Sequence, residues 1–260
     1  IDIPNDGPQG FLMRSLLRFP SAMSAPATFG TVIHAALQRA HTHLSAQGHI
    51  KPLEDVLGDF ETLLRHESLG DRDFEFYLQK GVDDLKVFYD QRIKDFQPTQ
   101  IVEHDFYSDN IMLGQVRLTG KIDLIDIDKE QKTLLLTDYK TGKAPRSWQG
   151  RTDYEKIKLH KYRQQLMFYK LLVERSPRFK GYTVTGGVLE FVEPVDGAIK
   201  RLEMEYDPAE QADFIKLVEA AWQRIINLDL PDISAFSGDM RGIIDFEKFL
   251  SDDTVEKLLT

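Results

Sequence analysis

The hydrophobic positions change period twice along the chain and divide it into helices, then sheet, then helices. Val32, Ala35, Ala36 and Ala40 recur at helical spacing behind Thr28, a residue suited to cap them, and predict a first helix. A second helix is expected over 52–66. A third, over 71–94, carries Phe74, Leu78, Leu85, Phe88 and Tyr89. After Pro98 the period becomes two: QIVEHDFY reads as a strand, SDN as a turn, QVRLTGKIDLIDI as a second strand and TLLLTDYK as a third. This meander looks antiparallel, and the LLL run argues that the third strand is buried on both faces and central. A polar loop, TGKAPRSWQGRTD, leads into a long helix over 154–175. Its Leu159, Tyr162, Leu166, Tyr169 and Val173 form a buried stripe. Strands in GYTVTGGVLEFV and IKRLEMEY, a helix over 207–227 and an irregular tail with a short terminal helix complete the reading. The expected fold class is α/β, one mixed β-sheet flanked by helices. It is read as a single domain over 1–260, with a mainly helical part at 1–97, a sheet core at 98–206 and a C-terminal helix and tail at 207–260.

Composition narrows the chemistry. The 260 residues include no cysteine, which removes disulfides, thiol catalysis and cysteine-held zinc or iron–sulfur clusters. With 17 Gly and 11 Pro the chain is neither collagen-like nor low-complexity. A net charge of −9, from 33 basic and 42 acidic residues, argues as an average against a non-specific nucleic-acid coat or a membrane-surface binder. The average hides one segment: from Lys140 to Lys170 nine basic residues face two acidic ones, a net of +7 that leaves −16 for the remainder. Lys143, Arg146, Arg151, Lys158 and Lys161 are the candidate DNA contacts in this run, through phosphate neutralisation, and Trp148 is a candidate platform for a base. A solvated helix face has the same composition, so the position of the run has to decide. No stretch reaches 18 apolar residues, and the amino end lacks a basic and apolar leader pattern. A cytoplasmic location is expected, and the initial Ile suits a fragment of something longer. No G-x-x-x-x-G-K-[ST] or strand-borne G-x-G-x-x-G occurs, so no ATP site is expected in this chain.

The chemistry concentrates in two neighbouring strands. Asp123 lies in LTGKIDLID; Asp138 and Lys140 lie in LLLTDYKTGK. Side chains two apart in a strand share a face, so Asp138 and Lys140 point together, and pairing through DKEQK brings Asp123 to the same patch. Two converging carboxylates repel each other unless a cation sits between them, and a divalent metal is the usual solution. A lysine beside them can position water or stabilise charge developing on a phosphate oxygen. The pattern suits metal-assisted phosphodiester hydrolysis. A D-x-K alone is often just a strand end and a solvated lysine, but a carboxylate ending a buried LLL run needs a partner.

Four motifs occur in order: G-x-x-x-H in FGTVIHAALQ, G-K-I-D, D-Y-K-T-G-K, and Q-L-x-x-Y in RQQLMFYKLL. Over residues 11–227 the chain resembles the RecB-like nuclease group of the PD-(D/E)XK superfamily, the module fused to the carboxyl end of many UvrD/Rep-type helicases. The resemblance implies a restriction-endonuclease-like core holding Mg²⁺ or Mn²⁺. It makes His34, Asp123 and Asp138 side-chain ligands, the Tyr139 carbonyl a main-chain ligand and Lys140 the catalytic lysine. Gln165 and Tyr169 would organise the site or hold the strand. It further implies single-stranded DNA as substrate, exonuclease rather than endonuclease action, a role in DNA repair or recombination, and a helicase motor as partner, in the same full-length chain or as a subunit.

Alone, His34 among Val32, Ile33, Ala35 and Leu37 reads as a core residue; only the motif makes it a ligand candidate. His41, His43, His49, His66, His104 and His160 show no ligand spacing and read as surface or structural. Glu103 stays open between supporting the site and being a solvated strand carboxylate. One subgroup of these nucleases carries a four-cysteine iron–sulfur cluster; here Gly7-Pro8 stands before the first motif and the tail has no cysteine, so no cluster is expected. The tail is expected to dock through Phe236, Ile243, Ile244, Phe246 and Phe249 alone. Two rival readings remain: a non-catalytic DNA- or helicase-binding module of the same fold, and a metal-dependent hydrolase of a small phosphorylated substrate, which would need a closed pocket.

Overall fold

The computed structural model describes residues 7–19 and 23–258, with backbone only for 253–258; the first six residues of the amino end read above lie outside the described residues. A short helix α1, Gly7–Phe11, runs into a π-helical turn at Leu12–Leu16. Helix α2 spans Ala25–Gln47 and starts before Thr28. Ser24 is its extended N-cap residue and Pro26 sits in the first turn, where its fixed φ suits a helix and its missing N–H costs nothing. Thr28 is therefore not the cap but a buried residue inside the helix. Helices α3, Leu53–Arg65, and α4, Asp71–Arg92, pack with α2 and bury Phe29, Ile33, Leu37, Phe60, Leu85 and Phe88.

Seven strands follow among the described residues: β1 Ile101–Asp105, β2 Ile111–Leu113, β3 Val116–Leu118, β4 Lys121–Asp128, β5 Thr133–Lys140, β6 Thr183–Val195 and β7 Ala198–Met204. Helix α5, Asp153–Arg175, separates β5 from β6; α6, Pro208–Ile226, and α7, Met240–Leu258, follow β7. Five strands form one sheet in the order β1-β4-β5-β6-β7. Its neighbours are antiparallel except β5 and β6, which run parallel with α5 as the crossover such a pair requires. The LLL strand is central, as its apolar run predicts. Leu134, Leu136, Leu189 and Phe191 on one face pack with Leu166 and Leu172 of α5. Leu124, Tyr139 and Val192 on the other pack with α2–α4.

Two expectations are corrected. QVRLTGKIDLIDI is not one strand: Val116–Leu118 pairs back onto Ile111–Leu113 as a separate two-stranded sheet, and β4 begins anew at Lys121. The break falls at Gly120, where a Cβ would stand 2.8 Å from Leu172 Cδ1 and whose carbonyl accepts the Phe106 N–H. Apolar alternation continues across such a bend and does not report it. The terminal helix is also long rather than short, at 19 residues. Ile243, Phe246 and Leu250 pack against Leu217 of α6, while Ile244 is half-buried and Phe249 stays 39% exposed, in ring contact with Phe236 and Phe246. Docking is not apolar alone: the Glu247 carboxylate meets His160 Nε2 at 2.9 Å and accepts from Gln164 Nε2 at 2.8 Å.

Candidate active site

The pairing of β4 with β5 runs up to Leu124 opposite Thr137, and the next residues on the two strands are Asp123 and Asp138. There the Tyr139 N–H donates to Asp123 Oδ2 at 2.8 Å, so a carboxylate takes a donor that a regular ladder would give to backbone. Both acids are buried, Asp123 at 8% and Asp138 at 2% exposure. The Tyr139 side chain turns to the opposite face, where its hydroxyl lies 3.0 Å from His41 Nε2; only its backbone adjoins the carboxylates.

Helix α2 brings His34 to this end of the sheet, with Nδ1 3.3 Å from Asp123 Oδ2. One turn earlier, a Cβ on Gly30 would lie 3.2 Å from Thr141 Oγ1, tighter than side chains ordinarily accept. The glycine of G-x-x-x-H therefore sets how near the helix, and its histidine, come to the strand ends.

From α5, Gln165 Nε2 and the Tyr169 hydroxyl both donate to Asp138 Oδ1, at 2.7 and 2.8 Å. Gln165 Oε1 accepts from Lys140 Nζ at 2.8 Å, and Gln165 Nε2 also donates to the Tyr169 hydroxyl at 2.7 Å. Lys140 Nζ lies 2.7 Å from Asp138 Oδ2 as an ion pair, which sets a positive charge against this buried oxygen. Burial pushes the Asp138 carboxyl up; Lys140 opposes the shift and Asp123 adds to it. At His34 burial works downward, but the hydrogen bond and charge of Asp123, with Asp138 and Glu103, outweigh it and the imidazole is raised. Burial and the charge of Asp138 raise the Tyr169 phenol far above its usual range, which keeps it a donor.

The arrangement fits a divalent cation. The His34 imidazole meets the Asp123 carboxylate, the buried Asp138 carboxylate stands on the facing strand with its Oδ2 ion-paired to Lys140, and a nitrogen–oxygen donor set of this kind suits a divalent cation. Lys140 stands beside the set with its ammonium 4.5 Å over the Tyr162 ring. Burial, then the Asp138 charge, pushes the Tyr162 phenol up to about 12.

Glu103 joins them. It lies on β1 opposite Asp123, between the pairs Val102–Leu124 and His104–Ile122, in a left-handed conformation with φ of 50°. Its carboxylate pairs with Lys121 at 2.6 Å, and His34, Glu103 and Asp123 each offer an atom within 4.8 Å of the others. The solvated-strand reading of Glu103 is overturned. Neither the strand register nor a positive φ can be read from a period-two pattern, which is why sequence left the residue undecided.

The basic run divides. Lys143, Arg146, Arg151 and Lys158 line a groove of about 680 Å³, together with the exposed Tyr154. The Lys158 ammonium lies 5.6 Å over the same Tyr162 ring that carries Lys140, which places the groove next to the lysine of the site; burial, then Lys140, holds the Lys158 amine down. Lys161 is half-buried on α5. Lys156, Arg163 and Lys170 are paired with Asp153, Glu210 and Glu174. Trp148 is not presented as a base platform: its indole donates to the Glu203 carbonyl at 2.7 Å, packs half-buried against the core, and carries the Arg163 guanidinium 5.6 Å over its ring.

A mixed sheet with two carboxylates and a lysine at the open end of its central strands defines the restriction-endonuclease-like class of fold. The family model described as the PD-(D/E)XK nuclease superfamily matches residues 5–235, and the chain belongs to that superfamily. No curated protein matches. Among solved structures, the crystal structure of SSO0001 is similar over 83% of this chain and 83% of that one, at 12% identity and a TM-score of 0.31; a likeness this slight carries no argument.

Proposed function

We propose that the chain is a metal-dependent deoxyribonuclease of the RecB-like group. The observation that carries this is the buried Asp138 carboxylate, ion-paired with Lys140 and next to Asp123 where the strand pairing ends. His34, Asp123 and Asp138, with the Tyr139 carbonyl, would hold Mg²⁺ or Mn²⁺. When bound, such an ion supplies Lewis-acid charge to the phosphate and lowers the pKa of a coordinated water. Lys140 is the catalytic lysine, placing its ammonium where a water or a phosphate oxygen would sit. Gln165 and Tyr169 are positioning residues that fix the Asp138 carboxylate through Oδ1. Lys143, Arg146, Arg151, Lys158 and Lys161 would guide the phosphate backbone to the site.

The finer readings rest on the order of the four motifs. They are single-stranded DNA as substrate, exonuclease rather than endonuclease action, a helicase motor in the same protein or a partner subunit, and work in DNA repair or recombination; a cytoplasmic location is proposed from the lack of cysteines. No helix among the described residues is long and apolar enough to cross a membrane. The test is incubation of end-labelled single- and double-stranded DNA with Mg²⁺, Mn²⁺ or EDTA. The wild-type chain is expected to cut with either metal and not with EDTA, to prefer the single strand, and to lose cutting in Asp138→Asn. Cutting in EDTA, or undiminished cutting by Asp138→Asn, refutes the proposal.

A further inference from the structure

Glu103 occupies a position that strand geometry alone does not explain. A glutamate with φ of 50° inside a strand sits in the left-handed region, which an extended residue there would avoid. The conformation accompanies a carboxylate brought level with Asp123 and within 4.8 Å of both His34 and Asp123 donor atoms. The side chain is 11% exposed, hence largely removed from solvent. Asp138 is engaged differently, with one oxygen held by Gln165 and Tyr169.

Resting on the metal-dependent reading above, we infer that Glu103 is itself a ligand of the divalent cation, completing a set with His34 and Asp123, and that Lys121 is its exchangeable counter-ion. The Lys121 ammonium, 2.6 Å from Glu103 and 52% exposed, supplies positive charge to the carboxylate from the solvent side. It can swing out to water when a cation takes over that carboxylate, because a long flexible amine gives up a half-exposed ion pair at little cost. The Glu103 and Asp123 carboxylates, within 4.8 Å of each other and of the His34 imidazole, repel each other without a cation; Lys121 is the ammonium paired with Glu103, and Lys140 the one paired with Asp138. A hard divalent ion with oxygen and imidazole donors is the ligand this set suits.

The proposal separates from a purely structural ion pair by experiment. Mn²⁺ binding is titrated by the electron paramagnetic resonance signal of the free ion, and melting is followed in EDTA, for wild type, Asp123→Asn, Glu103→Gln, Glu103→Asn and Lys121→Gln. Asparagine tolerates positive φ better than glutamate, so Glu103→Asn keeps the backbone while removing the charge. Expected are at least tenfold weaker Mn²⁺ binding in both Glu103 variants, unchanged or tighter binding in Lys121→Gln, and a melting temperature of Glu103→Asn no lower than wild type. Wild-type Mn²⁺ affinity in both Glu103 variants, with binding lost in Asp123→Asn, overturns the role of Glu103 and leaves the nuclease reading standing. Absence of Mn²⁺ binding by the wild type overturns both.

Discussion

At Asp138 two donors on one helix fix a single carboxylate oxygen and leave the other for charge. Tyr169 and Gln165 lie four apart on α5, the spacing that stacks side chains on one helix face, and this relation was legible in the sequence. Removing the phenol in Tyr169→Phe leaves Gln165 as the remaining donor to Oδ1 from that helix. The expected cost is about 1–2 kcal/mol of stability by denaturant melt, because a buried acceptor loses a partner. Single-turnover cleavage is expected to fall roughly tenfold, about 1.4 kcal/mol of barrier. An unchanged rate would deny the tyrosine its positioning role. Asp123, Asp138 and Lys140 were legible too, since period-two alternation fixes their faces. Glu103 was not, because its place depends on which residue β1 sets opposite Asp123. Trp148 was misread for a related reason: exposure of an aromatic in a polar loop cannot be told from composition, and the carbonyl that captures its N–H lies 55 residues away.

Among elements, α2 shows how a motif glycine acts through packing. Replacing Gly30 with alanine gains about 1 kcal/mol of helix propensity, while its Cβ presses on Thr141 Oγ1 at 3.2 Å. The two effects oppose each other in stability but not at the site, where any retreat of the helix withdraws His34 from Asp123. Gly30→Ala is therefore expected to melt near the wild-type temperature while binding Mn²⁺ several-fold more weakly. A raised melting temperature with wild-type metal affinity would show that the close approach has no consequence. The helices and the central strand followed from apolar periodicity. The β3/β4 break and the length of α7 did not, because one depends on Leu172 crowding Gly120 and the other on the Glu247 contacts with α5.

For the whole molecule, the sheet separates two hydrophobic layers and leaves the strand ends at one edge as the place where charged groups converge. The net charge of −9 coexists with a basic groove because pairing with Glu210, Glu174 and Asp153 absorbs part of the basic run while Lys143, Arg146, Arg151 and Lys158 line the groove beside Lys140. Such a distribution favours guided entry of a phosphate backbone at one place over indiscriminate adhesion. On the proposed function, this convergence of carboxylates and lysine hydrolyses phosphodiester bonds. The most direct measurement is the single-turnover cleavage rate of end-labelled single-stranded DNA by wild type and Lys140→Ala at saturating Mg²⁺, with DNA affinity measured on the same preparations. The Lys140→Ala rate is expected to be lower by about 100-fold or more, as for loss of a group stabilising transition-state charge, with DNA affinity retained. A Lys140→Ala rate equal to the wild type, or no cleavage by the wild type, would contradict it.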